Sequence, residues 1–342
     1  MATSSVEALV ELDAPLHLNI ELTANCNSRC QFCFSAKRSR SVESEPSLEL
    51  LKRILGRVRT ADVFRITFFG GEPTISPHLR PLIPYAYDLG FFLGVISNGF
   101  LINADLVKLF VQFEVSVGIS IHSHDPGIND EITGIKGAFL KTHAALRLLR
   151  EHNIDTTCNF TLTRKNYSTF GDFVEYMHGL YPNVSLFVAN RLIPSGRAAD
   201  DANSWLTTNE LNDVGRQMSR LVESGFSARV SFGDAIPFCV LDPKYHEFNN
   251  LCSIGTTFGL VTPHGDVKMC GASDQSFGNI LETPLREIWA SEPLREYRSL
   301  QWLPESCISC SFLKNCLAGC RYSDPATNSY AYGPDFYLRQ GQ

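Results

Sequence analysis

The chain has 342 residues, 44% hydrophobic and 19% charged, with a formal net charge of -6. This is the composition of a soluble enzyme with length for one large domain or two smaller ones. No long basic run marks a nucleic-acid or anionic-membrane surface.

The start, MATSSVEALVELDAP, lacks the basic opening and long apolar core of a signal peptide. The most apolar stretch, LGFFLGVISNGFLI, is interrupted by Gly, Ser and Asn and is too short to span a bilayer. The sequence reads as a soluble cytoplasmic protein with neither nucleic acid nor membrane as partner. Eleven cysteines, an odd number grouped near both ends, favour metal ligation over disulfides in a reducing compartment.

From residue 17 to about 195, β-rich runs alternate with helical patterns. The strands are HLNIEL, RITFFG, FLGVIS, VSVGISI, TTCNFTL and SLFVANRLI. Helices are expected at about 47–59, 78–89, 103–112, 138–152 and 168–180. Six strands with helical crossovers make a parallel α/β sheet, open or curled into a partial barrel, with chemistry at the C-terminal strand ends. A further helix is expected at about 207–224, and beyond 230 the alternation stops and cysteines return. The expected division is 1–200 barrel, 201–230 connecting helix and 231–342 cysteine-rich unit.

The loop after the first strand, TANCNSRCQFCFSAK, holds Cys26, Cys30 and Cys33. Structural zinc wants four ligands, and residues 18–40 offer no fourth Cys, His or Asp. A 4Fe–4S cluster held by three thiolates keeps one iron open for a small molecule. The second strand runs into Gly70, Gly71, Glu72 and Pro73. Two glycines permit close backbone approach, and Glu72 can accept hydrogen bonds from an ammonium group.

With these residues the chain resembles the radical SAM superfamily, whose signature is a C-x3-C-x2-C loop after the first strand of a partial (β/α)6 barrel. Cys26, Cys30 and Cys33 match it, as does Phe32. The resemblance implies that S-adenosylmethionine (SAM) chelates the open iron and is cleaved to a 5′-deoxyadenosyl radical. It implies that the GGEP run binds the methionine amine and that Ser120 contacts the SAM carboxylate or ribose. Ser97 and Asn98 end the third strand at this site, and His122 stands where many relatives carry Asp. Asn190 and Arg191 close the sixth strand within reach of adenosine or substrate. His122 and His124 read as substrate contacts or structural hydrogen bonds. Cys158, inside the fifth strand, reads as core or as a hydrogen donor to a substrate radical.

The C-terminal cysteines are Cys252, Cys270, Cys307, Cys310, Cys316 and Cys320. The last four are spaced C-x2-C-x5-C-x3-C, which resembles the SPASM domain, an extension with auxiliary Fe–S clusters. The family wiring implies one cluster on Cys252, Cys270 and Cys320 and a second on Cys307, Cys310 and Cys316. No cysteine follows Cys320, and position 258 is Phe where an additional cysteine is usual. Cys239 is a fourth ligand or, failing that, core or a hydrogen donor, with Asp324 and Asp335 as weaker ligands. A single twitch-like cluster on Cys252, Cys270, Cys307 and Cys310 stays open as well.

Auxiliary clusters suit a net oxidation, because they accept the electron left on a substrate radical. The expected function is maturation of a ribosomally made peptide by oxidative crosslinking or epimerisation. The rival is radical dehydrogenation or epimerisation of a sugar or aminocyclitol. An electron carrier would need neither the open iron nor the glutamate. Arg191 and Arg197, in NRLIPSGRA, are expected to hold carboxylates or peptide carbonyls. Gly271 stands where sulfatase-maturing relatives place an acidic residue, which disfavours that activity. Expected partners are a flavodoxin- or ferredoxin-type electron donor and, because the N-terminal stretch is short for a fused leader-binding domain, a separate leader-peptide-binding protein.

Overall fold

The computed structural model describes residues 11–35, 45–322, 333 and 335–339. Asp324 lies outside the described residues. Seven strands run in chain order across one parallel sheet: β1 (His17–Glu21), β2 (Arg65–Phe69), β3 (Phe92–Ser97), β4 (Ser116–Ser120), β5 (Thr156–Thr161), β6 (Val184–Asn190) and β7 (Arg229–Phe232). Beyond β1 the sheet continues into β8 (Phe258–Val261), parallel to it, and β9 (Val267–Lys268), antiparallel to β8. The strands after residue 228 thus extend both edges of a partial (β/α) barrel.

Helices α1 (Leu48–Arg59), α2 (Leu79–Asp88), α3 (Ala104–Gln112), α4 (Pro126–Thr133), α5 (Ala138–Glu151), α6 (Phe170–Leu180) and α7 (Thr208–Glu223) fill the crossovers. Ser47, Asn103 and Asp125 accept N-cap hydrogen bonds, and Thr207 with Glu210 forms a capping box. The C-terminal part carries short helices: α8 (Leu285–Trp289), α9 (Glu292–Ser299), α10 (Glu305–Ile308), α11 (Leu313–Cys316) and α12 (Phe336–Arg339). No helix among the described residues is long and apolar enough to cross a membrane.

The period-2 alternation of the strands decides which residues meet substrate and which build the core. Leu18, Ile20, Ile66, Phe68, Val117, Ile119, Cys158, Phe160, Phe187 and Ala189 are all buried in one hydrophobic core. Burial of apolar surface at about 25 cal/mol per Å² drives that packing. The six expected strands are present. The sequence reading missed α4, whose segment PGINDEIT is short and polar. Asp125 caps its start, Pro126 opens it, and Gly134 ends it at φ +68°.

Candidate active site and metal centres

Cys26, Cys30 and Cys33 line one cavity of about 280 Å³ at the C-terminal ends of the strands. Their loop carries no secondary structure of its own and is held from three sides. From β2, Gly71 and Glu72 donate backbone hydrogen bonds to Thr23 O and Asn25 O, both at 2.8 Å. From α4, Thr133 O accepts from Arg29 N and Ser28 Oγ, and Ile132 O accepts from Gln31 N. After β6, Arg197 donates its backbone N–H to Cys33 O and its guanidinium to Cys30 O, each at 3.0 Å. The substrate-carbonyl role expected of Arg197 is corrected to this extent: the carbonyl it holds belongs to the cysteine loop.

The glycines of GGEP also serve the loop. A Cβ on Gly70, at φ +142°, would lie 2.5 Å from Thr23 O, and one on Gly71 would overlap the Asn25 carbonyl. The close approach they permit is to the cysteine loop's own backbone. Pro73 opens a single 3-10 turn, capped by Glu72, and is not at the cavity surface. Glu72 is 2% exposed. Its Oε1 accepts from Thr74 N, Thr74 Oγ1 and Ser97 Oγ, and its Oε2 accepts from Asn98 N. Burial pushes its carboxyl pKa up, against the pull of these donors. Three of these donors fall on Oε1 and one on Oε2, so Oε2 is the less used of the two acceptors.

Phe32, Ser97, Asn98, Ser120, His122, Asn190 and Arg191 all border the cavity. His122 Nδ1 accepts from Thr161 N at 3.1 Å, which leaves the neutral ring's proton on Nε2. Burial lowers its pKa to about 3, so the ring stays neutral, with its plane at 77° to that of Phe32. His124 does not join it: its ring packs near Tyr176, away from the cavity. Arg191 is paired, with Nη1 3.1 Å from Asp335 Oδ1 and Nη2 bonded to Oδ2. Its guanidinium is therefore engaged inside the protein. Asp335 also accepts from the N–H groups of Cys320 and Tyr337, so its carboxylate is fully used and is not a free cluster ligand.

Among the cavity residues that escaped the sequence reading are Asn159, Thr161 and Asp234. Asn159 and Thr161 alternate with Cys158 and Phe160 on β5, so the polar pair faces the cavity. The same alternation corrects the hydrogen-donor reading of Cys158, which is fully buried in the core on the opposite face. Asp234, just past β7, supplies a carboxylate to the cavity. Burial pushes its pKa up to about 6 despite the nearby Arg191 guanidinium. The only available signal was its place at the end of a strand unrecognised in sequence.

The C-terminal cysteines divide into two groups. Cys307, Cys310 and Cys316 line a separate cavity of about 430 Å³ together with Cys239. The hydrogen-donor reading of Cys239 is corrected by this placement, away from the first cavity. The twitch-like grouping is not assembled, because Cys307 and Cys310 face a cavity that Cys252 and Cys270 do not line. Cys320 is buried beside Cys252 and the Arg191–Asp335 pair, all close enough to influence its titration after burial itself. Cys270 follows β9, and a Cβ on the next residue, Gly271, would lie 2.9 Å from Phe34 of the first cavity.

The donor sets fit iron–sulfur clusters. Among the described residues, no three His, Cys, Asp or Glu side chains come together as a single-ion site requires. A four-iron cluster spreads its thiolates, one to each iron. Burial raises Cys26 to about 12 and Cys30 to about 11, and Cys33 adds to the rise at both. Such thiols hold their protons until a cationic cluster displaces them.

A family profile described as the radical SAM superfamily matches residues 20–177, and the SPASM profile, an iron–sulfur cluster-binding domain, matches 252–311. The mycofactocin maturase MftC of Mycolicibacterium smegmatis is 31% identical over 336 residues, 95% of this chain and 82% of that protein. The PqqA peptide cyclase of Gluconobacter oxydans is 26% identical over 341 residues, covering 94% and 89% of the two chains. The structure of Streptococcus suis SuiB bound to precursor peptide SuiA has the same fold, with a TM-score of 0.76 at 20% identity over 96% of this chain and 76% of that one. The chain belongs to the radical SAM superfamily and is a radical SAM enzyme with a C-terminal SPASM domain, using S-adenosylmethionine and 4Fe–4S clusters.

Proposed function

We propose that this enzyme oxidatively matures a ribosomally made peptide, with Cys26, Cys30 and Cys33 holding the SAM-cleaving cluster. When bound, that cluster and SAM supply a radical that removes a hydrogen atom from substrate, and the auxiliary clusters supply a sink for the remaining electron. The observation that carries the oxidative reading is the packing of Gly271 against Phe34, which sets the Cys270 segment beside the first cavity. The peptide class is supported by relatives: one is named a PqqA peptide cyclase, and one solved neighbour holds its precursor peptide.

Each residue then has a task. Glu72 Oε2 receives the methionine ammonium. Ser120, Asn159, Thr161 and Asn190 offer hydrogen bonds to the SAM carboxylate, the ribose or the peptide. His122, neutral, donates from Nε2 and takes no proton. Asp234 accepts the proton that completes a two-hydrogen oxidation: the substrate loses one hydrogen atom, one electron and one proton. A flavodoxin- or ferredoxin-type donor supplies the reducing electron, and a separate leader-binding protein presents the peptide.

The test is mass spectrometry of synthetic peptides, encoded by short reading frames beside the gene, after anaerobic reaction in deuterated water. Oxidation predicts a loss of two hydrogens and one 5′-deoxyadenosine per product. A gain of one mass unit, from a solvent deuterium replacing the Cα hydrogen, marks epimerisation instead. Unmodified peptides alongside turnover of a sugar or aminocyclitol overturn the peptide reading.

A further inference from the structure

Cys239 sits in none of the spacing patterns that mark the other C-terminal cysteines. The fold nevertheless brings it to Cys307, Cys310 and Cys316 around one cavity. The cavity holds about 430 Å³, more than ten times the roughly 30 Å³ that one water occupies in the liquid. Its remaining wall is mostly apolar, with Phe238, Leu241, Phe312 and Leu313. Phe238 N donates to Cys316 Sγ at 3.3 Å, a bond that suits a thiolate and ties the Cys239 segment to its neighbour.

The backbone separates this group from Cys320. Leu317, Ala318 and Gly319 all adopt positive φ, at +49°, +61° and +76°. Three successive left-handed residues reverse the chain after α11, with about 1–2 kcal/mol of strain at each non-glycine position. A Cβ on Gly319 would lie 2.5 Å from Asp335 Oδ2 and 2.7 Å from Pro237. The turn sends Cys316 toward Cys239, while Cys320 faces Cys252 and the Arg191–Asp335 pair.

We propose that Cys239 is the fourth thiolate ligand of the cluster held by Cys307, Cys310 and Cys316. This rests on the assignment of auxiliary clusters above. It gives that cluster one thiolate per iron and closes it to substrate, so it serves as an electron-transfer site. The fourth ligand then comes from before the cysteine-rich segment.

Cys239 is exposed, so a free thiol there is accessible to an alkylating reagent. The test maps iodoacetamide labelling of the reconstituted full chain, before and after iron is removed with a chelator. The expected result is Cys239 protected at least tenfold in the holoenzyme, together with Cys307, Cys310 and Cys316, and all four labelled after chelation. Cys239 labelled while the other three stay protected overturns the proposal alone. All four labelled in the holoenzyme overturns it together with the cluster assignment. A second measurement uses Cys239→Ala and Cys239→Ser in a background with Cys26, Cys30 and Cys33 replaced by alanine. Cys239→Ala is expected to lose one iron more than that parent on mild oxidation and to show a correspondingly larger 3Fe–4S resonance by EPR, with Cys239→Ser suppressing the increase. A Cys239→Ala spectrum and iron content identical to the parent contradict the ligation.

Discussion

The proposal for Glu72 makes one side chain both scaffold and ligand. Its carboxylate gathers donors from Thr74, Ser97 and Asn98, and the residue lines the cavity. Glu72→Gln replaces one acceptor oxygen with a donor amide. It removes charge-assisted bonds worth roughly 1.5–3 kcal/mol, so SAM affinity is expected to fall about ten-fold or more, with a lower melting temperature. Calorimetric SAM titration checks this, and unchanged affinity excludes the role. The base role proposed for Asp234 predicts a pH effect. Its pKa of about 6 is set by burial, then by Arg191, with Asp335 opposing; Cys320 is a further titratable neighbour. The base is the ionised form, so product formation rises as pH increases through about 6. Asp234→Asn is expected to keep SAM cleavage but lose most product and this pH step. A variant with the wild-type product profile contradicts the assignment. GGEP and the three cysteines were legible because they are local in sequence. Asp234, Asn159 and Thr161 were not, because only tertiary placement separates them from other strand-end polar residues.

At the scale of elements, the cysteine loop is shaped by β2, α4 and the segment after β6, which grip its backbone. Arg197→Met keeps the aliphatic stem and removes the guanidinium bond to Cys30 O. The expected outcome is several-fold faster iron release to a chelator with little change in melting temperature; unchanged release contradicts the clasp. Gly71→Ala, which forces a Cβ onto the Asn25 carbonyl, is expected to cost about 1–3 kcal/mol and to lower cluster retention. Denaturant unfolding and iron analysis measure the two effects. The alternating strands announced their positions through period 2. Helix α4 and strands β7 to β9 did not, because their runs are short and owe their form to the sheet edges and loop they contact.

The whole molecule places two redox regions on one sheet. β8 pairs with β1, and the turn after β9 brings Gly271 to Phe34, so the SPASM part packs directly on the barrel mouth. Replacing Cys252, Cys270 and Cys320 with alanine is expected to leave SAM cleavage active while product per 5′-deoxyadenosine falls at least ten-fold. Retained coupling would show that those cysteines are not the electron sink. The division of the C-terminal cysteines was only partly legible, since the left-handed turn at Leu317–Gly319 that separates Cys316 from Cys320 leaves little trace besides one glycine. The central claim is that three thiolates and an open iron cleave SAM reductively. Its most direct test is the yield of 5′-deoxyadenosine from anaerobically reconstituted, dithionite-reduced protein with and without Cys26, Cys30 and Cys33. The wild-type chain should convert SAM to 5′-deoxyadenosine and methionine, and the triple alanine variant should form none. Equal yields from the two proteins would contradict the claim.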